Sequence, residues 1–395
     1  MLNSQTHAEP MQPLQAFAER TATNRTPRRI NRDHLFNLIR TRQPISRADL
    51  ARLSGLQRST VSLIAEELLA DRWIVEGSIA RLPRGRHPTF LQLNHQLAVI
   101  ALDIHPMQTS IGLSDLGGVI IAENIVTLSH QAKDALATIV AGIRKVTAAH
   151  AERSFVGVGI CLPGRTDVHL QKLIFSPNLT WPVSGIKSRI ERSTGLRVAM
   201  DNVANACALS EVWFGEKDRS HDLVVVNVSE GIGTGIFANG KLIRGDNGMA
   251  GEFGHVQLDP AGLPCSCGGR GCWETLASNR ACLRIYRERV PAAQDITFHH
   301  LLELAQAGDS DATCALTQAA VQLGRGIRMI VSALAPKEII IVGDITSAWS
   351  LFGPIIEAEM RRFAPLKATS LRPSHNGDAA RLRSAVALVL NEGLL

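Results

Sequence analysis

Apolar residues fall at helical spacing in the first quarter of the chain and at strand spacing through much of the rest. From about Asn31, Leu35, Phe36, Leu38 and Ile39 make one apolar face, and Pro44 ends that helix. Ser46 has the side chain of an N-cap and Asp49 lies in the acidic first turn. A second helix is therefore predicted over 47–53, stopping at Ser54-Gly55, where glycine takes the left-handed turn. A third is predicted over 57–70. Its Val61, Ile64, Ala65 and Leu68 recur at three- and four-residue spacing, with Ser59, Ser62, Leu63 and Glu66 on the opposite face. After Trp73 the stretch WIVEGSIARLPRGRHPTFLQLN alternates like a two-stranded wing, whose tip displays Arg81, Arg84 and Arg86. Residues 1–29 have no apolar period and read as a loose basic tail.

From Ala98 the pattern changes. Strand-like runs AVIALDI, SIGLSDL and VIIAENI precede a helix near 132–149. A second series follows in FVGVGICLPG and DLVVVNVSEGIGTGIFANGKLIRG, with helices between and after. Strands alternating with helices predict an α/β architecture built twice. The expected division is a tail over 1–29, a winged helix-turn-helix over 30–95 and a two-lobed body over 96–395.

Charge sharpens this division. Residues 1–94 hold fourteen arginines, no lysine and eight acids, a net of +6, which is the net charge of the whole chain. A basic module on a neutral body points to a nucleic-acid-binding head on a sensing or catalytic unit. No apolar run reaches the roughly 18 residues of a membrane span. No secretory signal is visible, and seven cysteines, an odd number, point to a reducing compartment, so a cytoplasmic location is expected.

Short helix, glycine-containing turn and second helix with a polar N-terminus make the helix-turn-helix pattern. A three-helix protein-interaction module shares this periodicity, and the arginines decide for double-stranded DNA. Gln57 and Arg58 suit base edges, Ser46, Ser59, Thr60 and Ser62 suit phosphates, Leu63 suits a thymine methyl, and Arg47 is a further candidate DNA contact. Arg81, Arg84 and Arg86 suit either a narrow minor groove or phosphates alone.

The strongest local signal is GHVQLDPAGLPCSCGGRGCWE. One imidazole, His255, and three thiols, Cys265, Cys267 and Cys272, at short loop spacing have the composition of a closed, four-coordinate structural Zn²⁺ site, one per chain. Cys161, Cys207, Cys282 and Cys314 are dispersed and read as ordinary core residues.

Taken together, ISRADLARLSGLQRSTVS, RGRHPTFLQLN, SEGIGTGI, GMAGEFGHV and CSCGGRGCWE resemble the ROK family (repressors, open reading frames, sugar kinases), in its winged-helix repressor branch. The resemblance runs from about Asn31 nearly to the end. It implies an actin/hexokinase-like pair of lobes with a sugar cleft between them, and Asn202, Glu252, His255 and Glu274 as the hydroxyl-binding set. Two other roles stay open: support of the zinc ligands for Glu252 and Glu274, and a strand-end turn for Asn202.

The resemblance also separates a sugar kinase from a sugar sensor. In the family's kinases the first strand leads into an Asp-x-Gly-Gly-Thr loop against the nucleotide phosphates. Here Asp103 is kept, but His105 and Pro106 stand where the glycines belong. Kinases carry Asn-Asp, the Asp taking the sugar hydroxyl proton; here Asn202 is followed by Val203, which cannot take a proton. Asp201 lies one residue too early, and Asp344 stands where a second glycine is common. Gly231, Gly233 and Gly235 survive, and they suit a tight hairpin as well as a phosphate. The expectation is a non-enzymatic, sugar-responsive transcriptional repressor, working as a homodimer or homotetramer on operator DNA and released by a small carbohydrate; an ATP-dependent sugar kinase with a DNA-binding extension is the alternative.

Overall fold

The computed structural model describes residues 25–79, 89–106, 108–128, 132–167, 172–176, 179, 185–215, 222–362, 369–375 and 379–393. At the N-terminal end, helix α1 (Arg25–Arg42) packs on α2 (Arg47–Ser54) and α3 (Arg58–Ala70). Leu35, Phe36 and Ile39 of α1, Leu50 of α2, and Val61, Ile64, Ala65 and Leu68 of α3 are buried together, as their spacing requires. Ser46 caps α2 by accepting from the Asp49 N–H at 3.1 Å, and Gly55 ends it at φ +71°.

One expectation is corrected here. Helix α1 starts at Arg25, so residues 25–29 belong to a helix and not to a tail. The polar first turns are held by charge: Arg28 pairs with Glu67, and Arg32 reaches Asp71 at 2.6 Å. The two-stranded wing stands where it was expected and gains a neighbour. β2 (Ile74–Ile79) and β3 (Thr89–Leu93) form the antiparallel pair, and β1 (Ile45–Ser46) adds a third strand on β3, pairing Ile45 with Leu91. The wing tip with Arg81, Arg84 and Arg86 lies outside the described residues.

The body contains two five-stranded sheets of one design. In the first, β4 (Leu97–Ile104) pairs antiparallel with β5 (Gln108–Asp115), which pairs antiparallel with β6 (Ile120–Thr127). On its other side β4 runs parallel to β7 (Ser154–Leu162), and β7 to β10 (Val198–Asn202). Strands β8 (Arg165–Asp167) and β9 (Lys172–Phe175) form a small separate ribbon after β7. The second sheet repeats the five-strand order. β11 (Leu223–Val228) pairs antiparallel with β12 (Ile232–Ala238), which pairs with β13 (Lys241–Ile243); β11 runs parallel to β14 (Glu338–Val342), and β14 to β15 (Ser370–Pro373).

Strand alternation feeds a different core on each face. Ala98, Ile100, Leu102 and Ile104 of β4 pack with α4 (Ala132–Ala149) and α5 (Ile186–Thr194), whereas Leu97, Val99 and Ala101 face α6 (Val203–Phe214) and α12 (Ala379–Gly393). In the second lobe Val224, Val226 and Val228 join the core of α7 (Trp273–Ala277), α8 (Asn279–Arg289), α9 (Phe298–Gln306), α10 (Ser310–Leu334) and α11 (Trp349–Met360). The last helix, α12, therefore returns to complete the first lobe.

Helix α6 is the central strut. Gly235 of β12 lets it approach, since a Cβ there would lie 2.1 Å from the Ala204 carbonyl oxygen. At its far end Trp213 meets the Phe36 ring edge-on at 6.2 Å. The Arg40 and Arg383 guanidinium groups lie 5.1 and 4.9 Å from the Phe214 ring centre, and Arg40 also donates to the Trp213 carbonyl. The N-terminal head is thus docked on the helix that separates the lobes. Among the described residues no helix is long and apolar enough to cross a membrane.

Candidate functional sites

On the head, Gln57, Arg58, Ser59 and Ser62 are exposed along one side of α3, with Leu63 54% exposed beside them; Thr60 is half-buried. Arg47 sits alongside, bridging Glu66 at 2.8 Å and Glu76 at 3.1 Å. Ser46 does not join this surface. It is 6% exposed and its hydroxyl is bound to Asp49 at 2.7 Å, because capping α2 uses the same oxygen a phosphate would need.

A cleft between the lobes brings Asn202, Glu252, His255 and Glu274 together. Asn202 ends β10 and caps α6: its Oδ1 accepts from the Ala204 N–H at 2.8 Å and its Nδ2 donates to the Gly164 carbonyl at 2.6 Å. Asp201 is turned elsewhere, accepting from Thr166 at 2.8 Å and pairing with Arg244. Val203 opens α6, 4% exposed. Two cleft residues lay outside the sequence reading, Asn205 on α6 and Asn227 on β11. They are 7% and 2% exposed, and each leaves a buried amide oxygen with no partner. A spacing of three from Asn202 in a helix flags Asn205; nothing in sequence flags Asn227.

At the other end of the cleft lies a chain of charges. Asp103 is 5% exposed and held by Arg381 through both oxygens, at 3.0 and 2.9 Å. His105 Nε2 meets the same carboxylate at 2.9 Å, and its Nδ1 faces Glu230 of the second lobe at 3.6 Å. Burial and Arg381 push the imidazolium down, but the Asp103 and Glu230 carboxylates outweigh them and lift its pKa to about 9. Burial pushes the other way on Asp103, yet Arg381 and His105 hold its carboxyl well below the usual range. Glu230 sits inside the SEGIGTGI run, so its place was legible; Arg381, 278 residues from its partner, was not.

The metal-knot residues also converge. One ligand atom from each of His255, Cys265, Cys267 and Cys272 lies within 4.8 Å of the others. Cys267 and Cys272 sulfurs are 3.6 Å apart, too far for a disulfide, and Cys265 Sγ is 3.5 Å from His255 Nδ1. A tetrahedron with Zn–S of about 2.3 Å and Zn–N of about 2.0 Å has edges of roughly 3.5–3.8 Å, so the donor set fits the ion. The chain folds back here through Gly271, at φ +60° with the Asp259 carbonyl oxygen 1.6 Å from where a Cβ would stand. His255 Nε2 faces Glu252 at 3.7 Å, while Glu274 lies 3.1 Å from Cys265 Sγ and 3.6 Å from His255 Nδ1. Glu274 thus faces both knot and cleft.

A family model described as "ROK family" matches residues 99–392. The xylose repressor of Bacillus spizizenii is 31% identical over 337 residues, 84% of this chain and 87% of its own. A crystal structure described as a ROK family transcriptional regulator, homolog of E. coli MLC protein, matches with a TM-score of 0.78 at 27% identity, covering 93% of this chain and 98% of its own. A ROK family glucokinase from Streptomyces griseus, solved with glucose and AMPPNP, matches with a TM-score of 0.66 at 29% identity, covering 73% and 98%.

Proposed function

This chain belongs to the ROK family, and within it we propose that it is a sugar-responsive DNA-binding transcriptional repressor without kinase activity. The observation that carries the reading is the charge chain at one end of the cleft. Arg381, Asp103, His105 and Glu230 fill the place where the family resemblance puts nucleotide phosphates, while polar groups suited to hydroxyls remain at the other end. A sugar site without a phosphate site is a sensor. Val203 supports this, since a buried alkyl group offers no base. So does the regulator match, whose coverage of 93% takes in most of the head, against 73% for the glucokinase.

In this reading the head over about 25–95 binds double-stranded operator DNA through Gln57, Arg58, Ser59, Thr60 and Ser62, with Arg47 on phosphates and the wing arginines beyond. The body over 96–395 binds a small carbohydrate through Asn202, Glu252, His255 and Glu274, joined by the unpartnered oxygens of Asn205 and Asn227. One zinc per chain, on His255 Nδ1 and the three thiolates, fixes the loop that carries Glu252 and Glu274. A homodimer or homotetramer presents paired heads to a near-palindromic site. Sugar closing the cleft changes the spacing of the heads and releases the DNA.

The test is a gel shift on a site selected from random duplex DNA, with and without D-xylose, the sugar named in the Bacillus relative, and a panel of other monosaccharides. Arg58→Ala is expected to weaken operator binding by about 1–3 kcal/mol while sugar still binds. Glu252→Ala is expected to hold DNA and ignore sugar. If Glu252→Ala releases DNA at the wild-type sugar concentration, the cleft assignment fails.

A further inference from the structure

We propose that the cleft takes a neutral, unphosphorylated sugar and turns away its phosphorylated form, with Glu230 as the excluding residue. This rests on the sugar-binding reading of the same cleft and names the class of ligand within it.

The argument is a balance of donors and acceptors. The side-chain groups that the cleft offers beyond its internal pairs are mostly acceptors. Asn205 and Asn227 each present a buried carbonyl oxygen with no partner. The Asn205 amide is oriented by donating its Nδ2 to the Asp201 carboxylate at 3.4 Å, so oxygen is the end left over. Glu230, Glu252 and Glu274 add carboxylates on the second lobe.

Most side-chain donors, by contrast, are committed. Asn202 Nδ2 is on the Gly164 carbonyl, Arg381 grips Asp103 with two nitrogens, and both His105 nitrogens face carboxylates. Arg165 is the remaining lining cation; its Nη1 lies against Met249, its buried Nε has no partner, and Glu252 and Glu274 outnumber it. A sugar hydroxyl donates as well as accepts, and meets such a wall well. A phosphate dianion has no proton to donate and brings charge of the same sign as the wall.

Glu230 decides the matter at the charged end. Asp103, Arg381, protonated His105 and Glu230 together carry no net charge, and His105 lies between the two carboxylates. An arriving phosphate therefore finds no free cation there. Replace Glu230 by a neutral side chain and the same group carries one net positive charge, with His105 Nδ1 turned to the cleft.

The experiment is calorimetric titration of the full-length protein with D-xylose, D-glucose, N-acetylglucosamine, glucose 6-phosphate, N-acetylglucosamine 6-phosphate and inorganic phosphate. Wild type is expected to bind at least one free sugar, and each 6-phosphate at least tenfold more weakly than the best free sugar. In Glu230→Gln the ratio of 6-phosphate to free-sugar affinity is expected to rise at least tenfold, about 1.4 kcal/mol, with inorganic phosphate binding now measurable. Glu230→Ala is expected to move the ratio the same way and serves if the glutamine variant does not fold. Wild type binding a 6-phosphate as tightly as a free sugar overturns the proposal and leaves the sugar-binding reading standing, as does an unchanged ratio in both variants. Binding of neither class overturns the sugar-binding reading, and the proposal with it.

Discussion

Helix α6 touches the cleft at one end and the head at the other, so its head contact can be loosened to test whether occupancy is transmitted along it. Twelve residues at about 1.5 Å each give a strut roughly 18 Å long from Val203 to Phe214. Phe214 is the place to cut, because its ring meets Arg40 of the head at 5.1 Å and Arg383 of α12 at 4.9 Å. Each such contact contributes about 0.5–1 kcal/mol at a partly exposed site. Phe214→Ala removes both while leaving the Phe36–Trp213 contact and the α3 surface in place; only the Arg40 contact joins head to body, so about 0.5–1 kcal/mol of head–body coupling is lost. That corresponds to a roughly 2- to 5-fold smaller change in operator affinity on adding sugar. The assay is the ratio of operator Kd with and without saturating sugar, the sugar being the one that shifts the melting temperature most. Operator affinity without sugar is expected to stay near the wild-type value. Phe214→Leu, which keeps bulk and loses the π face, is expected to fall between. A wild-type ratio in Phe214→Ala would refute transmission through α6.

Three further outcomes follow. Freshly purified protein is expected to hold one zinc per chain, and Cys267→Ser to lose it and melt lower, whereas Cys314→Ser keeps it; elemental analysis finding no zinc in wild type refutes the knot. The folded-state pKa of His105 is raised to about 9 from about 6.5, so its stabilisation is complete below pH 6.5 and is lost as pH rises through 9. At most about 3 kcal/mol disappears over that window, and His105→Gln should flatten this part of the melting-temperature profile; an unchanged slope refutes the charge chain. Val203→Asp is expected to show no ATP turnover with any panel sugar, because His105 and Pro106 still block the phosphate loop, and turnover in that variant refutes the blocked-loop argument.

What was legible in the sequence was whatever is encoded over short spans. The caps Ser46 and Gly55, the stripe Val61–Ile64–Ala65–Leu68 and the strand runs of both lobes each depend on neighbours within a few residues, and they stand within a residue or two of where the pattern put them. The knot was legible for the same reason, its four donors lying between 255 and 272. The early start of α1 was hidden because Arg28 and Arg32 are held by Glu67 in α3 and Asp71 just after it. The strand β1 beside the wing is two residues long, too short for any periodicity. Asn202 read as a strand-end residue is half of its role, since it also caps α6, and a cap at a strand–helix junction without a loop carries no turn signal. Arg381 is the clearest case of the rest: only the fold brings it to Asp103.

The charge chain also sets how this chain can change. Arg381 and Asp103 are buried partners, and removing one alone leaves the other an uncompensated charge at a cost of about 3–5 kcal/mol. That is a large share of the roughly 5–15 kcal/mol that holds an ordinary domain folded. On the sensor reading proposed above, a lineage moving toward phosphoryl transfer would have to replace His105, Pro106, Val203 and Glu230, and would gain nothing until the loop, the base and the charge balance were all in place. Single substitutions would then cross a valley of lower stability without activity. In that case the charge chain would act as an evolutionary ratchet, holding the molecule in its proposed role more firmly than the loss of one catalytic group would.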